Sequence, residues 1–205
     1  MDAFLLICIL LIIFCVFMAI KSSGARKEDV GNLALKLQNL PNFSAKKTII
    51  KYNVMSIPNG ISLDDTTKQI CLIQNGQFIL KPFSSIIECQ IVVDGKTITK
   101  TSRGSQALGM LVGGAIGGGL GVLIGGLSAS TSEQKKIKNV SIKILFNDLS
   151  LPSHEFSLIG VSPATGYEPV SIALKDAEEW DNVLKIILFQ SDEERKKQQG
   201  EILDV

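Results

Sequence analysis

The sequence of residues 105–132, SQALGMLVGGAIGGGLGVLIGGLSASTS, determines how the rest of the chain must be arranged. The segment contains no charged residue, and its glycines recur at every fourth position. Each glycine inside a helix costs about 1 kcal/mol relative to alanine in water, so this would be a poor soluble helix. In a bilayer the same spacing lets two helix backbones come into contact. The pattern predicts a glycine zipper for membrane contact or homo-oligomerisation through Gly109, Gly113, Gly117, Gly121 and Gly125.

Basic residues on both sides of this segment indicate that its two ends lie on the cytoplasmic side of a membrane. A helical hairpin with arms of about 10–12 residues would be only about 15–18 Å long, too short to cross a hydrocarbon core of about 30 Å. We therefore favour a hairpin that dips into the inner leaflet or lies against a partner. A single spanning helix and a soluble loop are the alternatives. The flanking basic residues are Lys96, Lys100, Arg103, Lys135, Lys136 and Lys138.

The same six basic residues are candidates for contact with anionic lipid head groups. Each would contribute about 1 kcal/mol near a negatively charged surface. An equally good interpretation is that they are solubilising charges at the base of an insertion.

Residues 1–21 are predicted to form an N-terminal transmembrane anchor. Ala3 to Ile20 is an uninterrupted apolar run, just long enough for a spanning helix. A cleaved signal peptide is the alternative, with Ser23-Gly24-Ala25 as a small-residue cleavage site. Lys21, Arg26 and Lys27 follow the run, which predicts a single-pass protein of the cell membrane with its C-terminal domain in the cytoplasm.

After the anchor, residues 22–46 are predicted as a juxtamembrane segment with an amphipathic helix from Glu28 to Leu40. Alternating apolar residues then predict a strand-rich domain over residues 47–190, interrupted by 105–132. Asn75-Gly76 and Asp94-Gly95 are hairpin turn signals. The predicted strands are Thr48–Ile57, Ile61–Leu63, Gln69–Ile73, Gln77–Leu80, Ile86–Val93, Lys96–Thr101, Val140–Phe146 and His154–Gly160.

The last predicted element is a helix from Ser171 to Gln190 with a stripe of apolar residues that includes Trp180. Ser171 is the candidate N-cap. Glu178, Glu179 and Asp181 are predicted to lie on its solvated surface. Residues 191–205 form a charged tail that extends the helix to Gln199 at most, with Gly200 as the stop.

No pattern in the sequence predicts catalysis, a cofactor or a metal. Gly95-Lys96-Thr97 resembles the end of a phosphate-binding loop, but Gln90 stands where its first glycine is required. The lone His154 and its neighbour Glu155 would point to opposite faces of a strand. The four cysteines are scattered, with no paired spacing, which indicates reduced, buried thiols. A net charge of +1 does not imply nucleic acid as a partner.

The order of elements resembles the pleckstrin-homology-like superfold, a mainly β, bent antiparallel sandwich of about seven strands with a C-terminal helix. Within it, the run from Phe83 to Gly126 is similar to an uncharacterised group of bacterial and phage membrane-anchored proteins, with a GRAM-like domain and a glycine-zipper insertion. The run includes Phe83-Ser84-Ser85-Ile86, Val93-Asp94-Gly95 and Lys100-Thr101-Ser102-Arg103-Gly104-Ser105. The resemblance implies lipid or peptide binding, but the superfold hosts many functions.

These features predict a non-enzymatic, membrane-anchored cytoplasmic interaction module. Its expected partners are the lipid membrane, a second copy of the chain through the glycine zipper, and an unidentified protein. The alternative is a membrane-active phage exclusion or immunity effector that assembles in the bilayer through its glycine-rich segment.

Overall fold

A computed structural model of the chain describes residues 32–104, 137–162 and 166–203. The predicted N-terminal anchor, the five regularly spaced glycines, Lys135 and Lys136 lie outside these ranges. Among the helices that the described ranges contain, none combines the length and the apolar composition needed to cross a bilayer.

The chain divides into two compact units, residues 1–43 and 44–205. In the first unit, a short helix (α1) covers residues 32–38, within the helix predicted from Glu28 to Leu40. Its buried residues are Leu33 and Leu37, four positions apart as expected for one helix face.

The second unit begins with a sheet of four antiparallel strands in chain order. These are β1 (Lys47–Tyr52), β2 (Pro58–Asp64), β3 (Gln69–Gln74) and β4 (Gln77–Pro82). The predicted Asn75-Gly76 turn joins β3 to β4, with both residues at positive φ. The strand predicted from Thr48 to Ile57 is wrong in its second half. The chain turns over residues 53–57, and β2 begins at Pro58, before the predicted start of the second strand at Ile61.

A second antiparallel sheet has the order β6-β5-β7-β8. Its strands are β5 (Ile86–Val93), β6 (Lys96–Ser102), β7 (Val140–Phe146) and β8 (Ser153–Ser157). The predicted Asp94-Gly95 turn joins β5 to β6. The last predicted strand, from His154 to Gly160, is shorter than expected. A small hairpin of β9 (Val161–Ser162) and β10 (Gly166–Tyr167) follows it.

The two strands that flank the glycine segment are both neighbours of β5. The Arg103 amide, just after β6, donates to the Ile87 carbonyl at 2.8 Å, near the start of β5. At the other end of β5, Val93 pairs with Val140, the first residue of β7. The stretch from Ile87 to Val93 is about 20 Å long at about 3.3 Å per residue. The segment is therefore attached at two points that lie at opposite ends of one sheet.

We call these two ends the exit pole and the return pole. The exit pole consists of the 3-10 turn Phe83–Ser85, Arg103, Gly104 and residues 147–150. A hydrogen bond from the Asn147 amide to the Ser85 carbonyl joins residues 147–150 to the 3-10 turn. The return pole consists of the Asp94-Gly95 turn, residues 137–139 and residues 157–159.

The C-terminal helix (α2, Val170–Leu203) packs on β5, β7 and the 3-10 turn. Its predicted stripe is confirmed: Trp180 is 3% exposed and belongs to a hydrophobic cluster shared with both sheets. The other buried stripe residues are Ala173, Ala177, Leu184, Ile187 and Leu188. The mainly β fold with a C-terminal helix is thus confirmed.

The helix is longer than predicted. It begins at Val170, before the candidate N-cap Ser171, and it continues through Gly200, where a stop is expected. Ser191 and Asp192 are buried in it, although the sequence predicts a solvated tail.

Asp181 differs most from the helix surface expected from sequence. Glu179 is exposed and Glu178 is half-buried, but Asp181 is only 4% exposed. Its Oδ1 accepts a hydrogen bond from Thr99 Oγ1 at 3.1 Å, and its Oδ2 lies 2.6 Å from Lys185 Nζ. Thr99 belongs to β6, so a strand far away in sequence covers this face of the helix.

Candidate functional site

The first end of the glycine segment is fixed by Arg103 at the exit pole. Its guanidinium donates to the Ser84 carbonyl at 2.7 Å and to the Phe83 carbonyl at 3.2 Å. Burial and the positive charge of Arg195 lower the pKa of Arg103, although an arginine in a protein stays charged. The guanidinium thus holds the backbone of the exit pole together.

The chain that returns from the glycine segment is fixed by Asp94 at the return pole. Its Oδ1 accepts hydrogen bonds from the amides of Lys138 (2.9 Å) and Asn139 (2.8 Å). The Asp94 amide donates in turn to the Asn139 carbonyl at 3.0 Å. Ser157 Oγ donates to Asn139 Oδ1 at 2.7 Å, which ties the same residue to β8. One hairpin turn therefore both closes β5–β6 and receives the returning chain.

Of the six basic residues predicted to contact lipid, the four that the structure describes do not form one patch. Arg103 lies at the exit pole, and Lys100 is paired with Glu88 at 3.0 Å on the sheet between the poles. Lys96 and Lys138 lie at the return pole, exposed and without an ion pair among the described residues. Lys135 and Lys136 precede Lys138 in sequence but are outside the described ranges.

Glu88 explains why Lys100 is a poor candidate for lipid contact. Burial raises the pKa of this carboxyl. Hydrogen bonds from Ser102 and Gln90 and the ammonium of Lys100 together lower it by more, so the pKa lies below its usual value. The carboxylate is therefore charged at neutral pH, and Lys100 is bound to it.

We expect Asp94→Ala to loosen the return end of the glycine segment without unfolding the domain. The change removes a charged acceptor from two backbone amides, which should destabilise the fold by about 1–2 kcal/mol. Hydrogen exchange of the full-length protein should show faster exchange of the amides over residues 137–141. Asp65→Ala, an exposed aspartate in the β2–β3 turn, is the matched control. Unchanged exchange in Asp94→Ala would contradict the anchoring role.

A polar cleft of about 220 Å³ opens between the first sheet and β8 near the return pole. Lys51 borders it and lies 2.7 Å from Glu168 Oε2 and 2.9 Å from Asp176 Oδ2. Burial alone lowers the pKa of Lys51, but these two carboxylates raise it above its usual value. The lysine therefore joins β1 to the start of α2 as a charged clamp. The lining residues are Lys51, Tyr52, Asn53, Asn59, Glu155, Phe156, Ser157 and Ile159.

His154 and Glu155 on β8 both have structural partners. His154 is 3% exposed, and its Nε2–H donates to the Gly60 carbonyl at 3.1 Å, while burial lowers its pKa. Its neighbour Glu155 is exposed and accepts from Ser141 Oγ at 2.8 Å, on the other face of the strand. Within the described residues, no three potential metal ligands come together.

The loop over residues 53–57 is a feature that the sequence prediction missed. It exposes Val54 and Met55, 58% and 76% respectively, at the end of β1. Val54, Met55 and Ile57 favour a strand, so the sequence predicts one continuous strand from Thr48 to Ile57. The signal for a turn was Asn53 with Ser56, since asparagine and serine both favour turns.

Comparison with known proteins points to the same domain. Residues 47–159 match the family described as "Glycine zipper containing PH domain". That range includes both sheets and the glycine segment between β6 and β7.

Two curated relatives carry the similarity. The chain is 34% identical over 116 residues to a protein named "Immunity protein" from Bacillus phage SPbeta, covering 52% of this chain and 56% of the relative. It is also 34% identical over 116 residues to "SPbeta prophage-derived uncharacterized membrane protein YomJ" of Bacillus subtilis, covering 52% of this chain and 49% of that relative. The chain thus spans about half the length of these relatives, and no solved structure matches it.

The family match covers more than half of the chain, and its range includes both sheets and the glycine segment. The chain therefore belongs to the family of glycine-zipper-containing PH domains.

Proposed function

We propose that this protein is a membrane-anchored interaction module without catalytic activity, whose glycine segment contacts the bilayer or a second copy of the chain. The observation that carries the proposal is that β6 and β7 both pair with β5. The segment between them is thereby presented by one folded domain from two fixed points. The relative named as a membrane protein supports association with a membrane.

The sheet pairing also favours one membrane topology. A single crossing by residues 105–132 would put β6 and β7 on opposite sides of the bilayer, which is incompatible with their positions in one sheet. We therefore propose that the segment enters and leaves the membrane on the same side, or lies on its surface. The basic residues after Ile20 support the cytoplasm as that side.

Labelling of single cysteines in intact cells tests this topology. The native Cys71 and Cys89 are buried, and burial raises the pKa of each thiol to about 12, so neither should react. After Cys8→Ser and Cys15→Ser, cysteines placed at Ser105 and Ser132 are expected to react only when a reagent can enter the cytoplasm. Reaction of either position with an impermeant external reagent would overturn the topology.

A second candidate function is a membrane-active immunity effector. The relative named "Immunity protein" and the glycine spacing favour it. The two candidates differ in a direct measurement, the leakage of dye from vesicles that carry the purified protein. An interaction module leaves the vesicles sealed, whereas an effector that assembles in the bilayer releases the dye.

We expect the triple substitution Gly113→Leu, Gly117→Leu, Gly121→Leu to weaken self-association of the full-length protein in lipid about tenfold. Leucine side chains would keep two helix backbones apart where glycines let them touch. Cross-linking at graded protein-to-lipid ratios measures the change. Ala107→Leu with Ala115→Leu is the control, since these residues lie off the four-residue spacing and each side chain gains nearly as many carbon atoms as in Gly→Leu. Equal losses in both variants would argue against a zipper.

A further inference from the structure

The loop between β1 and β2 presents two apolar side chains on a rigid backbone. Asn53 Oδ1 accepts hydrogen bonds from the amides of Met55 and Ile57, both at 2.9 Å. The Ser56 amide donates to the Asn53 carbonyl at 2.9 Å, and Ser56 has a φ of 61°. Because the loop is braced from within, Val54 and Met55 are held away from the domain. We call these two residues the apolar tip.

The apolar tip lies at the return pole. Tyr52 and Asn53, at the base of the loop, line the same cleft as Ser157 and Ile159. Ser157 is hydrogen-bonded to Asn139, in the chain that returns from the glycine segment. The loop and the return end of the glycine segment therefore share one end of the domain.

The return pole also carries two exposed positive charges. Lys96 and Lys138 flank the Asp94-Gly95 turn, and neither has an ion pair among the described residues. In sequence, Lys135 and Lys136 lie immediately before this end. The carboxylate of Asp94 is occupied by two backbone amides, so it does not neutralise the lysines through an ion pair.

The groups close to Lys51 and the cleft are compatible with a bilayer interface. Tyr167 is 68% exposed, and tyrosine is enriched where membranes meet water. Its neighbour Glu168 is paired with Lys51 at 2.7 Å. Glu155, the other acid at the cleft, accepts a hydrogen bond from Ser141 Oγ.

We propose that the apolar tip enters the interfacial layer of an anionic bilayer while Lys96 and Lys138 lie against the head groups. Exposed apolar residues combined with unpaired lysines match a negatively charged leaflet, because apolar burial and electrostatic attraction then both contribute to binding. The loop over residues 53–59 contains no basic residue, so it contributes apolar contact and the lysines supply the charge. The inference rests on the proposed membrane anchor, and it fixes which end of the domain faces the bilayer.

Depth-dependent fluorescence quenching of the full-length protein tests the inference. Cys8→Ser and Cys15→Ser provide the background, and Met55→Cys carries an environment-sensitive fluorophore. The matched control is Leu149→Cys, because Leu149 is fully exposed but lies at the exit pole. Two kinds of vesicle are used, one of phosphatidylcholine with phosphatidylglycerol and one of phosphatidylcholine alone. Both kinds also contain lipids with a quencher near the head group.

We expect lipid quenching at position 55 and none at position 149, with stronger quenching in the anionic vesicles. Lys96→Glu with Lys138→Glu should lower the ratio of inserted to free tip about tenfold. Val54→Asp, made in the labelled protein, should lower it about tenfold as well.

Two results would overturn the inference while leaving the anchor in place. The first is a protein that floats with the vesicles although position 55 is quenched no more than position 149. The second is a probe at position 55 that is shielded from aqueous iodide but not quenched by lipid, which would indicate that protein covers the tip. A protein that does not float with vesicles would overturn the anchor and the tip together.

Discussion

Gly60→Ala is expected to destabilise the domain by at least about 3 kcal/mol, although it adds a single methyl group. Gly60 lies in β2 between Ile50 of β1 and Ile73 of β3. A Cβ atom at this position would be 2.0 Å from the Ile49 carbonyl oxygen and 3.0 Å from the Ile50 Cα. Both neighbours are backbone atoms, so no side-chain rotation can relieve the clash and the β1–β2 pairing must shift.

A shift there would also disturb the contact between the two sheets. The Gly60 carbonyl accepts the hydrogen bond of the buried His154 ring on β8. Loss of that bond would leave a buried imidazole without its partner, which adds to the destabilisation.

The measurement uses the single tryptophan of the chain. Trp180 is buried in the core, so its emission reports unfolding of this domain in the full-length protein in detergent. Gly95→Ala is the matched control. No atom lies within 4 Å of the added methyl group, and the positive φ of 78° should cost only about 1–2 kcal/mol. Equal effects of the two substitutions would show that close approach at Gly60 is unimportant.

The parts of the fold that are encoded locally could be predicted from the sequence. Asn75-Gly76 and Asp94-Gly95 set their hairpins because both residues of such a turn need positive φ. The stripe on α2 that contains Trp180 followed from helical spacing. The sequence also predicts that residues 105–132 interrupt a strand-rich domain, and the strands on the two sides of them lie in one sheet.

The parts that depend on distant pairing could not be predicted. No local pattern indicates that β7 pairs with β5 on the side opposite β6, so that the chain leaves toward the glycine segment and returns from it at opposite poles. For the same reason the basic residues on the two sides of the segment, Arg103 and Lys138, looked like one cluster. The burial of Asp181 could not be predicted either, because the residue that covers it, Thr99, belongs to a strand distant in sequence.

Asp181 matters to the candidate site because it connects α2 to β6, the strand that leads into the glycine segment. Its carboxylate is 5% exposed and its partner Lys185 is 15% exposed. The charges of Asp181 and Glu88 also contribute, after burial, to the raised pKa of the nearby Cys89 thiol. The helix is thus held to the edge strand by the hydrogen bond from Thr99 to a carboxylate that also pairs with Lys185 within the helix, where the pair has little contact with water.

Asp181→Ala is therefore expected to destabilise the domain by about 3–5 kcal/mol, because it leaves a largely buried ammonium without its anion. The double substitution Asp181→Leu with Lys185→Met should recover most of this loss, since two apolar side chains can replace a buried pair at little cost. Urea unfolding followed by Trp180 emission gives the free energy of unfolding for the single and double variants. If the double variant were as unstable as Asp181→Ala, the effect would come from the hydrogen bond with Thr99. Hydrogen exchange across β6 would then be faster in both variants.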